Sequence, residues 1–127
     1  MKQFTSPSQQ IGQIGEHIAC KYLQNKGFTI LERNFTLKCG EIDIIAYKGE
    51  SLRFIEVKSA NYKGEAPIIR PEDNLHRRKM AKLARACLIY ADMKKLGDQI
   101  PWQIDIVAVE YDEAMKKAYI RHLECIY

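Results

Sequence analysis

Three strand-like runs follow one another between Phe28 and Ala60, "FTILERNF", "GEIDIIAY" and "SLRFIEVKSA", while the sequence on either side carries the period of a helix. This switch from helical to alternating period and back limits the fold more than any other feature. Ahead of the strands, Ile11, Ile14, Ile18 and Tyr22 recur with Ala19 and Leu23 alongside, the spacing of one helix face. Gly27, just past Lys26, supplies the stop. Residues 1–10 are polar and read as a flexible segment. "KGE" between the second and third runs serves as a hairpin turn. Residues 61–71 hold Gly64, Pro67 and Pro71 and read as a loop whose mobility would suit substrate access. A second helix is expected from about Glu72 to Gly97, with Met80, Leu83, Ala84, Cys87 and Ala91 on its apolar stripe. After Pro101, "WQIDIVAVEY" and "AYIRHLECIY" add two strands. The order α-β-β-β-α-β-β points to an α/β fold, a single domain over residues 11–127. Its central sheet should be mixed and flanked by helices, because a helix is the usual connection between parallel neighbours.

Composition narrows the function. The hydrophobic fraction of 46% and charged fraction of 28% are ordinary for a globular protein. No apolar run approaches the ~20 residues of a membrane span. The start, "MKQFTSPSQQ", lacks the apolar region of a secretory signal, so a cytoplasmic location is expected. Cys20, Cys39, Cys87 and Cys125 form no C-x-x-C pair, and most read as buried thiols; His17, His76 and His122 show no ligand spacing. A net charge of +4 permits a nucleic-acid partner without demanding one.

The third run sets Glu56 and Lys58 on one strand face among Phe54, Ile55 and Val57. Burying such charges costs several kcal/mol per ion unless they are paired or hold a metal. In "EIDII", Ile42 and Ile44 should face one side and Glu41 and Asp43 the other. A hairpin register that sets Asp43 beside Glu56, where the sheet opens, would join two carboxylates with Lys58 one step further along. Two such acids repel unless a cation lies between them, which suits a hard divalent ion such as Mg²⁺. The matching chemistry is phosphodiester hydrolysis, with Lys58 orienting water or stabilising charge. Glu16 borders the apolar stripe of the first helix and either reaches the strands as a third carboxylate or is an exposed helix glutamate. The plain alternative for Asp43, Glu56 and Lys58 is a buried ion pair with a neighbouring acid.

"IGEHIACKYLQNKGFTILERNF", "GEIDIIA" and "LRFIEVK", in this order and spacing, resemble the YraN family of endonuclease-like proteins. That family belongs to the PD-(D/E)xK nuclease superfamily and is similar to archaeal Holliday-junction resolvases. "KMAKLARACLIYA", "WQIDIVAVE" and "IRHLECIY" extend the resemblance over nearly the whole chain. It implies a restriction-endonuclease-like αβββαβ core and a Mg²⁺- or Mn²⁺-dependent site. Asp43, Glu56 and Lys58 match the D…E-x-K motif, and Glu16 matches the helix glutamate that completes a resolvase-like metal set. Glu41 falls in the family's G-E-I-D segment with a structural or supporting role. Lys79 matches a basic position of the second helix and would touch phosphate. Asp105 resembles the acid of a late strand, and a lone acid there equally caps, pairs or binds water. The family carries E-V-K-x-R where this chain has Ala60 after Ser59, so one arginine contact to phosphate is missing.

The run "HRRKMAKLARA" sets Arg78, Lys82 and Arg85 at i, i+4 and i+7 on one helix face, with Lys79 beside them. Such a stripe binds phosphates or is simply a solvated surface. Trp102 and the tyrosines form no base-stacking row and read as core or interface residues. The leading expectation is a metal-dependent DNA endonuclease whose substrate form, branched, single-stranded or duplex DNA, the sequence leaves open, acting as a homodimer if it cuts two strands symmetrically. The competing one is a DNA-binding or scaffold module of a DNA-processing assembly with a vestigial site.

Overall fold

A computed structural model describes residues 6–64, 77–95 and 100–127. The elements are α1 (Pro7–Asn25), β1 (Thr29–Leu37), β2 (Gly40–Lys48), β3 (Ser51–Asn61), α2 (Arg77–Met93), β4 (Trp102–Asp112) and β5 (Lys117–Leu123). The expected order is the observed one. Residues 65–71 of the expected loop, and 72–76 and 96–97 of the expected second helix, lie outside the described residues.

α1 starts at Pro7, four residues before the expected Ile11, because Ser6 caps it. The Ser6 hydroxyl accepts from the Gln9 amide and the Gln9 side chain accepts from the Ser6 amide, a reciprocal box ahead of Pro7. Gly27, at φ +92°, ends the helix as expected, and the Phe28 amide turns back to the Leu23 carbonyl. The buried face differs from the expected stripe. Gly15, Ala19, Cys20 and Leu23 are buried, while Ile14 is 40% exposed. Small residues cause this rotation, since a Cβ on Gly15 would stand 2.7 Å from the Cβ of Ser59 on β3. The helix backbone therefore rests directly on the strand.

The five strands lie in the order β1-β2-β3-β4-β5. All neighbours are antiparallel except β3 and β4, which are parallel and joined through α2. This is the mixed α/β sheet expected, flanked by two helices in the manner of a restriction-endonuclease-like core. Lys48 pairs with Ser51 across a two-residue turn in which Gly49 takes φ +61°. On one face α1 packs Ala19 and Leu23 against Ile44, Ile55, Val107 and Val109. On the other, α2 packs Leu83, Cys87 and Tyr90 against Ile42, Ile45, Phe54 and Ile104. Ile42 and Ile44 thus enter opposite layers, which corrects the expectation that they share a side. The alternation of β2 slips by one residue at Asp43.

β5 ends at Leu123 rather than running to Tyr127. Cys125 adopts φ +55° and gives its amide to Asp105, and Ile126 and Tyr127 then pair with Ile104. Of the cysteines, Cys20 and Cys87 are buried, Cys39 is half-buried and Cys125 is exposed. Among the described residues no helix is long and apolar enough to cross a membrane.

Candidate metal centre at the fork of the sheet

The β2–β3 ladder stops at the Ile44–Ile55 pair, whereas β3 stays paired with β4 as far as Asn61–Tyr111. The two strands diverge at the next position, that of Asp43 and Glu56. Asp43 Oδ2 accepts the Val57 amide at 2.8 Å, so a side chain takes the hydrogen that a paired strand would have received. The slip in β2 turns Asp43 into this gap.

Burial and the nearby Glu56 carboxylate lift the Asp43 pKa to about 7, against the lowering effect of the Val57 amide, with Glu16 and Glu41 adding to the rise. Glu56 Oε1 receives two ammonium groups, Lys58 Nζ at 3.5 Å and Lys79 Nζ at 3.3 Å. Burial and the neighbouring Lys79 lower the Lys58 pKa, with Glu56 opposing. Its contact with Lys58 raises that of Lys79, against burial, and Glu56 adds to the rise.

Glu16 is delivered by the Gly15–Ser59 contact that seats α1 on β3. Its Oε1 is buried without a hydrogen-bond partner among the described residues. Burial raises its pKa, Arg33 lowers it, Glu41 raises it, Asn34 lowers it and Glu56 raises it again. The fold thus brings Asp43, Glu56 and Glu16 into one electrostatic neighbourhood, joined by Glu41 and by both lysines. Among the described residues the ligand atoms of Asp43, Glu56 and Glu16 do not all lie within 4.8 Å of one another, and the neighbouring Asp43 and Glu56 are oxygen donors of the kind that Mg²⁺ and Mn²⁺ take together with water.

A cleft of about 260 Å³ opens over Asp43 and Glu56, and neither Glu16 nor Lys58 lines it. Glu41, Asp43 and Glu56 form its sheet side, and Lys79, Lys82, Leu83 and Ala86 its helix side. Lys82 and Arg85 are exposed on α2, and Lys79 turns inward to Glu56. The side chain of Arg78 lies outside the described residues. Sequence reasoning placed Lys79 with the phosphate contacts and missed its pairing with Glu56, because that pairing joins elements in different layers.

A second cluster was legible from the sequence only as far as Asp105. Asp105, His122 and Glu124 each bring one ligand atom within 4.8 Å of the others, the one such group of three among the described residues, so this acidic and histidine set could hold a metal. Its atoms are already engaged. Asp105 is fully buried; its Oδ2 receives Arg53 Nη1 at 3.0 Å and His122 Nε2 at 2.8 Å. Its Oδ1 receives Gln103 Nε2 at 2.7 Å and the Cys125 amide at 2.9 Å. Arg53 also reaches Glu124 at 3.0 Å, and the Tyr22 hydroxyl lies 3.3 Å from His122 Nδ1. Burial pushes the Asp105 pKa up, but His122, the Cys125 amide and Gln103 outweigh it and hold the carboxyl below its usual range. A metal here would have to displace the Arg53 guanidinium, so this is a closed ionic joint. The strand-interior acid pairs, one of the roles open to it from sequence.

The model of the uncharacterised protein family UPF0102 matches residues 15–109, a span that holds Glu16, Asp43, Glu56, Lys58, Lys79 and Asp105. A UPF0102 protein of Campylobacter jejuni is 42% identical over 101 residues, 80% of this chain and 84% of the relative. One from Geotalea uraniireducens is 35% identical over 118 residues, 92% of this chain and 88% of the relative. One from Alkaliphilus oremlandii is 32% identical over 117 residues, 92% and 97% respectively. On a match that runs from the first helix through the fourth strand, the chain belongs to the UPF0102 (YraN) family.

Proposed function

We propose that this protein is a Mg²⁺- or Mn²⁺-dependent endonuclease of the PD-(D/E)xK type that hydrolyses phosphodiester bonds of DNA in the cytoplasm. The observation that carries the reading is the fork at Asp43 and Glu56, where two neighbouring carboxylates line a cleft whose helix wall carries Lys79 and Lys82, with Glu16 in their electrostatic field. Asp43, Glu56 and Glu16 are the residues that would hold the ion. When bound, it would supply Lewis acidity toward a phosphoryl oxygen and offset the crowded negative charge. Lys58, whose ammonium is destabilised by burial, orients the attacking water and carries charge as the phosphate passes through its transition state. Lys79, Lys82 and Arg85, with Arg78, bind flanking phosphates. Branched or single-stranded DNA is the substrate class, cut by a homodimer where two strands are severed symmetrically.

A second reading, a DNA-binding or scaffold module with a vestigial site, is favoured by one feature. Both ammonium groups already neutralise Glu56, so the cleft is charge-compensated without a metal. A panel of branched, single-stranded and duplex DNA with Mg²⁺ and Mn²⁺, run beside Asp43→Ala, separates the two. Cleavage by the wild type alone supports the nuclease; salt-sensitive binding with no cleavage on any substrate or metal supports the scaffold.

A further inference from the structure

The acidic cleft contains a cation of the chain's own. Lys79 reaches from the start of α2 across the cleft to Glu56 Oε1 at 3.3 Å, while Lys58 approaches the same oxygen at 3.5 Å from the strand that carries Glu56. The two ammonium groups differ in freedom. The Lys79 side chain is 42% exposed and the Lys58 side chain 19%. Lys79 also belongs to the helix-side wall of the cleft, facing Glu41, Asp43 and Glu56. A phosphate approaching those carboxylates from α2 therefore passes Lys79.

We propose that Lys79 is a positioning residue that couples cation binding to DNA binding. The inference rests on the endonuclease reading above. With Glu56 engaged by a divalent ion, both ammonium groups would lose their partner, and Lys79, the more exposed of the two, would be the one with room to swing away. Once released it stands at the mouth of the cleft as an unpaired cation, where a substrate phosphate replaces Glu56 as its partner. Ion binding then raises DNA affinity, and DNA raises ion affinity by the same factor.

The test measures binding, with no cleavage needed. Mn²⁺ is titrated calorimetrically into the full chain of the wild type, Lys79→Met, Lys79→Gln and Lys79→Arg, and DNA affinity of each is compared in Ca²⁺ and in EDTA. Both neutral variants should bind Mn²⁺ roughly five-fold tighter or better, since the Lys79 ammonium no longer has to be displaced. Lys79→Arg, which keeps the charge, should stay near the wild type. Ca²⁺ should raise wild-type DNA affinity by about five-fold and that of the neutral variants by less than about two-fold. Mn²⁺ affinity in the neutral variants equal to or weaker than wild type, or an undiminished Ca²⁺ effect, overturns the coupling alone. Absence of Mn²⁺ binding from wild type and neutral variants together overturns the metal-site reading and this inference with it.

Discussion

The Val57 amide donates to Asp43 Oδ2 at 2.8 Å, immediately beyond the last paired step between β2 and β3. A carboxylate there serves as a surrogate for backbone, and its charge is disfavoured by burial and by Glu56. The folded chain consequently binds a proton at Asp43 that the unfolded chain has released. Asp43's contribution is fully present below its ordinary pKa of 3.8 and is lost as pH rises toward about 7. Stability of the metal-free protein should fall over that window. Asp43→Asn keeps an acceptor for Val57 and should flatten the fall, gaining about 2 kcal/mol near pH 8. Urea unfolding as a function of pH checks this, and an unchanged profile in the variant refutes it.

The Gly15–Ser59 contact sets the height of Glu16 above the sheet. Gly15→Ala should cost about 1–3 kcal/mol through overpacking, because the new methyl meets the Ser59 Cβ and hydroxyl together. Ser59→Gly in the same chain should recover most of that loss, as expected of two groups in direct contact. Thermal unfolding of the single and double variants measures the coupling. Mn²⁺ affinity should weaken in Gly15→Ala and return in the double variant, since Glu16 follows the helix.

Asp105 joins Arg53, Gln103, His122 and Cys125 at the centre of the molecule. Asp105→Ala leaves the Arg53 guanidinium, only 14% exposed, with the half-exposed Glu124 and the Ser51 hydroxyl in place of a buried carboxylate and should cost about 3–5 kcal/mol. Because the Asp105 pKa is lowered on folding, its contribution exists above the ordinary carboxyl pKa and disappears as pH falls through the lower folded value. Glu124→Gln, at an exposed position, should leave Mn²⁺ affinity unchanged. A loss of Mn²⁺ binding in that variant would move the metal from the fork to this cluster.

Lys82 and Arg85 are exposed on α2, with Lys82 on the wall of the cleft. Each charge removed should weaken DNA binding across sequences and flatten the dependence of log affinity on log salt by about 0.7–0.9. Filter binding of Lys82→Ala and Arg85→Ala over a salt series tests both. A slope equal to wild type removes the residue from the interface.

Periodicity revealed all seven elements, because each strand and helix carries its own pattern of burial. It failed where packing uses small side chains. Gly15 and Cys20 outrank Ile14 at the α1 interface, and hydrophobicity cannot register a close approach of backbones. It failed again at Asp43, where alternation slips and separates Ile42 from Ile44. The neighbourhood of Asp43, Glu56 and Lys58 was legible because hairpin register is local, with a two-residue turn fixing the partners. The role of Lys79 and the Arg53–Asp105–Glu124 joint were not, because they arise between elements far apart in the chain.

The divergence of β2 from β3 fixes the acids by backbone course more than by choice of rotamer. Extending the pairing one step toward Asp43 would seal the gap, and ending it one step sooner would spread the donors. The loop at Gly49–Glu50, at the opposite end of the hairpin, is free of that constraint. Insertions are therefore tolerable at one end of this two-strand unit and ruinous at the other, an asymmetry that tracks chemistry and not the strength of the sheet.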